Sequence, residues 1–215
     1  SKFIYFSSSY IFSGENILFR EHDTPSPSSV YGSTVASSEF YIQKSCLNYI
    51  IFRCCPIYGR SYNPNDLKWV EAIERNEFLG EKIVCDSKVY TGFLDVYTIS
   101  ELLKQAIELN VTNRLLQVTS SDQMNRYEFA KLYLNKFGGN VSLLMKGDWK
   151  FPQTENQLAL QALGEELHFA MDTFNIEDEF EIKMPTIDES ISKYKKKIEG
   201  SVKAKRAASA GITFV

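Results

Sequence analysis

Phe6-Ser-Ser-Ser-Tyr-Ile-Phe-Ser-Gly14, followed by Val30-Tyr-Gly-Ser-Thr-Val35, decides the reading of this chain. Lys2 to Ser7 is a short continuous apolar run, the pattern of a strand buried on both faces of a parallel sheet. Three serines close it. Residues 13 to 29 are polar and carry Pro25 and Pro27, so they form a loop. Near Ser28 a helix begins and carries Tyr31, Ala36, Phe40 and Tyr41 towards Cys46, and Tyr49 to Cys54 is a second buried strand. Strand, helix, strand in this order predicts a right-handed βαβ crossover and an α/β fold.

Beyond this unit the pattern continues. Asn65 to Phe78 reads as a helix with Leu67, Val70, Ile73 and Phe78 on one side. Lys82 to Cys85 and Gly92 to Asp95 read as short strands. Thr98 with Glu101 three residues later forms a capping box ahead of an apolar stripe at Leu102, Leu103, Ala106 and Ile107. Arg114 to Val118 is a strand, and Asn125 to Phe137 a helix stopped by Gly138-Gly139. Residues 146 to 165 read as loop with a little helix, and Asp188 to Ile198 as a final amphipathic helix. A small, basic, mobile tail is expected over 200–215. Its end, Thr213-Phe-Val215, has the form of a peptide that a carboxylate-capturing domain binds, a short and common pattern.

Composition narrows the function classes. The chain has 215 residues, 44% of them hydrophobic, enough for one sizeable core with a small appended lobe. A net charge of -3 gives no reason to expect nucleic acid or an anionic membrane as partner. No apolar run approaches the roughly 20 residues of a membrane span. The start has no signal-peptide layout. Cys46, Cys54, Cys55 and Cys85 have no metal-ligand spacing and read as reduced thiols of a cytoplasmic protein. His22 and His168 stand far apart, and no metal site is expected. Arg53 is open to two readings, a structural partner for a carboxylate or a ligand group. Trp69 is likewise a border for a base or sugar, or a packing residue between lobes. Tyr127 and Lys131 form a Tyr-x-x-x-Lys on the late helix, far along the chain from the serines, and read as chance.

Jointly these landmarks resemble the extended short-chain dehydrogenase/reductases that act on nucleotide sugars, nearest the dTDP-4-dehydrorhamnose reductases. Ser7-Ser-Ser-Tyr-Ile-Phe-Ser-Gly14 is similar to the family's Ser-Thr-Asp-Tyr-Val-Phe-x-Gly. Val30-Tyr-Gly-Ser-Thr-Val35 is similar to Val-Tyr-Gly-x-[ST]-Lys, and Phe52-Arg-Cys-Cys-Pro-Ile-Tyr-Gly59 to Phe-Arg-x-x-x-Val-Tyr-Gly. Lys183 to Ile191 looks like the family's closing helix, so the resemblance runs from residue 1 to about 199. It implies the last strands of a Rossmann-type parallel sheet over residues 1–60 and a substrate lobe with closing Rossmann elements over 61–199.

The resemblance also implies NAD(P)H reduction of a 4-keto sugar nucleotide. A ketone that accepts hydride develops charge on oxygen, and a phenol with an ordinary pKa near 10 is a proton donor at neutral pH. By resemblance Ser8 and Tyr31 are the catalytic pair. Tyr31, Cys54 and Cys55 are expected to border the NADP or NAD cofactor, and Ser9 and Tyr10 to contact the nucleotide-sugar substrate.

Three departures qualify this. The family's lysine, four residues after the tyrosine and so on the same helix face, is Val35. Losing such a preorganised partner lowers rates by on the order of 10²–10³. The motif's acidic position is Ser9, and Pro56 stands where reductases have tryptophan. No Gly-x-x-Gly-x-x-Gly pyrophosphate turn occurs among the eleven glycines. The chain is therefore expected to start at the fifth strand of a full domain, with an N-terminal half or a partner chain covering the strand at residues 2–7. Two functions follow from the sequence: an impaired nucleotide-sugar oxidoreductase, or a non-catalytic regulatory or scaffold subunit that retains the reductase fold.

Overall fold

The computed structural model describes residues 1–63, 65–148 and 154–210, without the side chains of residues 156, 161 and 202–210. Its main sheet has three parallel strands in the order β1-β2-β7, where β1 is Phe3–Ser8, β2 Tyr49–Cys54 and β7 Arg114–Val118. Helix α1, Val30–Ser45, makes the crossover from β1 to β2. Ser29 caps it by accepting from Gly32 N at 3.0 Å. The chain is thus an α/β protein, as the βαβ pattern predicts. Apolar side chains of the sheet, with Ile11, Phe12 and Phe19 from the loop before α1, pack on Leu94, Ile99, Leu102, Ala106 and Met184. The largest core therefore draws on both sides of residue 60.

Beyond the sheet the strands are short and pair in parallel twos. β3 (Ile57–Tyr58) pairs with β6 (Leu94–Asp95), β4 (Ile83–Asp86) with β8 (Leu144–Gly147), and β5 (Val89–Tyr90) with β9 (Leu167–His168). Helix α2 (Trp69–Leu79) and helix α4 (Arg126–Phe137) pack against this part through Ile73, Ile83, Ala130 and Leu134. Helices α3 (Val96–Glu108), α5 (Glu155–Ala162), α6 (Phe174–Phe180) and α7 (Ile187–Ala210) complete the order. Among the described residues no helix is long and apolar enough to cross a membrane.

Several sequence expectations are corrected. β1 is the outer strand, so Phe3 and Phe6 are about half exposed instead of buried on both faces. Thr98 does not cap α3. Asp95 does, accepting from Tyr97 N and Thr98 N at 3.0 Å, and the Thr98 hydroxyl itself donates to Asp95 at 2.7 Å. A carboxylate at the strand end outcompetes the hydroxyl three residues later, while Glu101 pairs with Lys193 of α7. Helix α2 starts at Trp69, not Asn65, because Glu71 reaches back to accept from Lys68 N at 3.0 Å and fixes the first turn there. Residues 144–147, read partly as loop, extend the β4 edge as β8. Helix α7 runs on to Ala210, past the expected end at Ile198 and into the segment expected as a mobile tail; residues 211–215, including Thr213-Phe-Val215, lie outside the described residues, as do residues 149–153 of the expected loop.

Candidate functional site

At the C-terminal ends of β1 and β2 opens a cleft of about 630 Å³. This is where parallel sheets place ligands, since strand ends and the following helices leave a crevice there. Ser8, Tyr10, Tyr31, Cys54, Cys55 and Pro56 all line it, joined by Phe6 at the open edge and by Arg126 from α4. Five of the six residues singled out from the sequence are therefore brought together.

Ser9 is the exception. The chain turns at once after β1 into a single 3-10 turn, Ser9–Ile11. Ser8 caps that turn, its Oγ accepting from Tyr10 N at 3.2 Å, and stays half-buried at the cleft. Ser9 faces the interior, is fully buried, and its Oγ has no hydrogen-bond partner among the described residues. Its expected contact with substrate is not the one this geometry provides.

Tyr31 stands in the first turn of α1 and is 55% exposed, so its phenol faces the open cleft. Two devices hold it there. Gly32 lets the helix start press against the β1 turn, for a Cβ at this position would meet Tyr10 O at 2.2 Å and Pro27 Cβ at 2.9 Å. Deeper in the helix, Glu39 forms a buried pair with Arg53 of β2. Arg53 Nε donates to the two carboxylate oxygens at 3.0 and 3.1 Å, and one terminal nitrogen donates at 2.8 Å. The other terminal nitrogen donates to Glu21 O at 2.9 Å, and Ser7 Oγ donates to Glu39. Of its two readings, Arg53 takes the structural one: it clamps α1 to the sheet.

Val35, one helical turn further along α1, is buried where Tyr31 is exposed. It is 7% exposed and belongs to the main core. No cation occupies the position four residues beyond the phenol. Cys54 and Cys55 form part of the cleft floor as free, buried thiols. Burial pushes the Cys55 thiol up to about 12, against hydrogen bonds from its surroundings, and raises Cys54 as well, so neither is a thiolate at neutral pH. Burial also raises Tyr10, offset in part by the neighbouring Arg126.

A dinucleotide cofactor, which the resemblance implies, does not fit these residues in full. Ser8, Tyr31 and the Cys54-Cys55-Pro56 wall could border its reactive end. The position of the family's lysine is a core valine, and this sequence contains no Gly-x-x-Gly-x-x-Gly turn.

A second cleft of about 440 Å³ lies between α2, β4 and α4. Trp69, Ile73, Ile83, Val84 and Cys85 give it apolar walls, and Asn76, Asp86 and Asp148 its polar groups. Trp69 borders this cleft and packs on Phe129 of α4, with ring centroids 4.6 Å apart. Arg126 lines both clefts and lies over the Trp69 ring, its guanidinium carbon 5.7 Å from the centroid.

Sequence reading passed over Arg126. A signal was present: it is the first residue of a helix, where the positive end of the dipole disfavours a cation. A residue that breaks a local preference is a candidate for function.

Comparison with known proteins agrees with this fold. The model of the family described as RmlD substrate binding domain matches residues 1–199. Methionine adenosyltransferase 2 subunit beta of Bos taurus is 26% identical over 131 residues, which are 59% of this chain and 39% of that protein. The Rattus norvegicus protein of the same name is 24% identical over the same lengths. The chain thus matches about two-fifths of the length of these relatives. Among solved structures, dTDP-4-dehydrorhamnose reductase of Bacillus anthracis, in complex with NADP, superposes with a TM-score of 0.76 at 17% identity, covering 92% of this chain and 66% of that one. The Clostridium acetobutylicum reductase gives 0.74 at 15%, covering 91% and 65%. At such identities the likeness is one of fold.

Proposed function

The chain belongs to the RmlD substrate binding domain family, and from that membership and the cleft geometry we propose a sugar-nucleotide-binding protein of the reductase lineage with impaired turnover of its own. The observation that carries this is the meeting of Ser8, Tyr10 and Tyr31 at one cleft while Val35 sits in the core. In this reading the Ser8 hydroxyl hydrogen-bonds the 4-keto oxygen of a dTDP-linked sugar, and the Tyr31 phenol faces the same oxygen as proton donor. Ser8 needs no rearrangement to do so, since accepting from Tyr10 N leaves its own proton free to donate. With valine in place of lysine, the preorganised charge one helical turn beyond Tyr31 is lost, so proton transfer is slow. Reduction with NADP or NAD as cofactor requires a pyrophosphate site that these residues do not form. The same reading places the protein in the cytoplasm, where its free thiols stay reduced.

Thermal denaturation with added ligands tests this. A dTDP-sugar at 100 times its Kd should add about 2.7 kcal/mol of stability, whereas NADPH alone should add none. Stabilisation by NADPH without the sugar nucleotide would overturn the reading. A second reading, a non-catalytic subunit that docks another chain, is favoured by the exposed outer strand β1 with Phe3 and Phe6 at its edge. Its signature is stabilisation by neither ligand.

A further inference from the structure

We propose that a groove bordered by α6, residues 182–185 and α3 takes the basic C-terminal segment of a second copy of this chain, and that two copies exchange these segments reciprocally. The groove consists of two clefts. One, of about 430 Å³, is lined by Phe174, Glu177 and Asp178 of α6, by Glu181 at its C-cap, and by Ile182 and Lys183. The other, of about 510 Å³, shares Ile182 and Lys183 and continues along Met184 and along Leu102 and Gln105 of α3. Because two residues line both, the clefts run into one another. Neither shares a residue with the Ser8 cleft, so the inference is independent of what binds there.

The two ends of the groove differ in kind. At the α6 end Phe174 is 70% exposed, a large apolar ring left to solvent. Beside it three carboxylates stand against one ammonium. Lys183 is committed to Glu177 at 2.7 Å, and Glu177 also accepts from Met184 N at 2.9 Å. Asp178 and Glu181 are exposed, and among the described residues their carboxylates have neither an ion pair nor a hydrogen bond. The α3 end is apolar at Leu102, Ile182, Met184 and Pro185, and its Lys193 is paired with Glu101 at 2.5 Å. A segment that fits carries cations followed by an apolar stretch. This chain has one: Lys203, Lys205 and Arg206 precede Ile212-Thr-Phe-Val215, with small residues between them. That segment does not serve its own groove. Helix α7 begins at Ile187, just after the groove wall at Pro185. At 1.5 Å per residue Lys203 stands about 24 Å further along the axis, so α7 carries the cations away. A second copy presents the same groove, and reciprocal exchange closes a two-fold dimer. Exposed opposite charges make such an association salt-dependent.

Sedimentation equilibrium of the full chain at low and high salt tests this, with a groove variant, Asp178→Lys/Glu181→Lys, and a tail variant, Lys203→Glu/Lys205→Glu/Arg206→Glu. The wild type is expected to form a dimer that weakens as salt rises, and each variant alone to dimerise at least tenfold more weakly. An equimolar mixture of the two variants is expected to recover the dimer. In the mixed pair the unaltered tail meets the unaltered groove, and the acidic tail meets the groove made basic. A wild type that stays monomeric at low salt, a dimer indifferent to both variants, or a mixture that stays monomeric would overturn the proposal. Loss of the dimer in the groove variant alone would assign the groove to another segment and overturn the exchange. Melting curves of the variants separate these outcomes from unfolding.

Discussion

Replacing Arg53 by methionine should reveal how α1, and with it Tyr31, is held to the sheet. The guanidinium gives Glu39 three N–H···O contacts of 2.8 to 3.1 Å in a site where the two residues are 3% and 2% exposed. Methionine fills much of the same volume but leaves the carboxylate with the Ser7 hydroxyl as its remaining side-chain donor. It also releases Glu21 O. Breaking a buried pair on one side costs about 3–5 kcal/mol, because the partner's charge stays desolvated. For a chain of this size each kcal/mol moves the melting point by about 2–4 °C, so a fall of about 6–20 °C is expected. The double variant Glu39→Leu/Arg53→Met removes both charges and should lie within about 2 kcal/mol of wild type. Urea unfolding followed by tryptophan fluorescence gives the four corners of the cycle, and the coupling energy isolates the pair. A loss below 1 kcal/mol for Arg53→Met, or a double variant as unstable as the single, would refute the clamp.

Gly32→Ala places a methyl 2.2 Å from Tyr10 O, so α1 must withdraw from the β1 turn. A loss of about 1–3 kcal/mol is expected, with weaker dTDP-sugar binding than in a surface control such as Ser37→Ala. The cysteines make a separate prediction. Burial raises Cys85 to about 11 and Cys55 to about 12, and raises Cys54 too. At pH 8 a disulfide reagent should titrate about one thiol, Cys46, in the folded protein and all four after unfolding. Rapid labelling of Cys54 or Cys55 in the native state would contradict their placement in the cleft floor.

Local sequence carried much of the fold and part of the site. The apolar runs at residues 2–7 and 49–54, the helix between them and Gly138 after α4 are short-range signals, and the strands and helix lie within a residue or two of their expected bounds. Asp95 was missed as the cap of α3 because Thr98 and Glu101 fit a capping box equally well on paper. Lys193 of α7 draws Glu101 away, and that contact spans 92 residues. The pairs β4 with β8 and β5 with β9 were illegible for the same reason, since two- to four-residue strands carry no period of their own.

Sequence alone determined the lineage, the βαβ order and the presence of a hydroxyl at a strand end with a tyrosine opening the next helix. It also determined what is replaced, for Val35 can carry no charge in any fold. Tertiary structure decided that Ser8 and not Ser9 lines the cleft, because one 3-10 turn leaves Ser8 half-buried and Ser9 fully buried. It decided that Arg53 is a clamp, and that Arg126, distant in the chain from both, lies over the Trp69 ring and lines the cleft of Ser8 and Tyr31. Period and spacing report on neighbours within a few residues, whereas a binding site is made of contacts between segments that the packing of the core brings together.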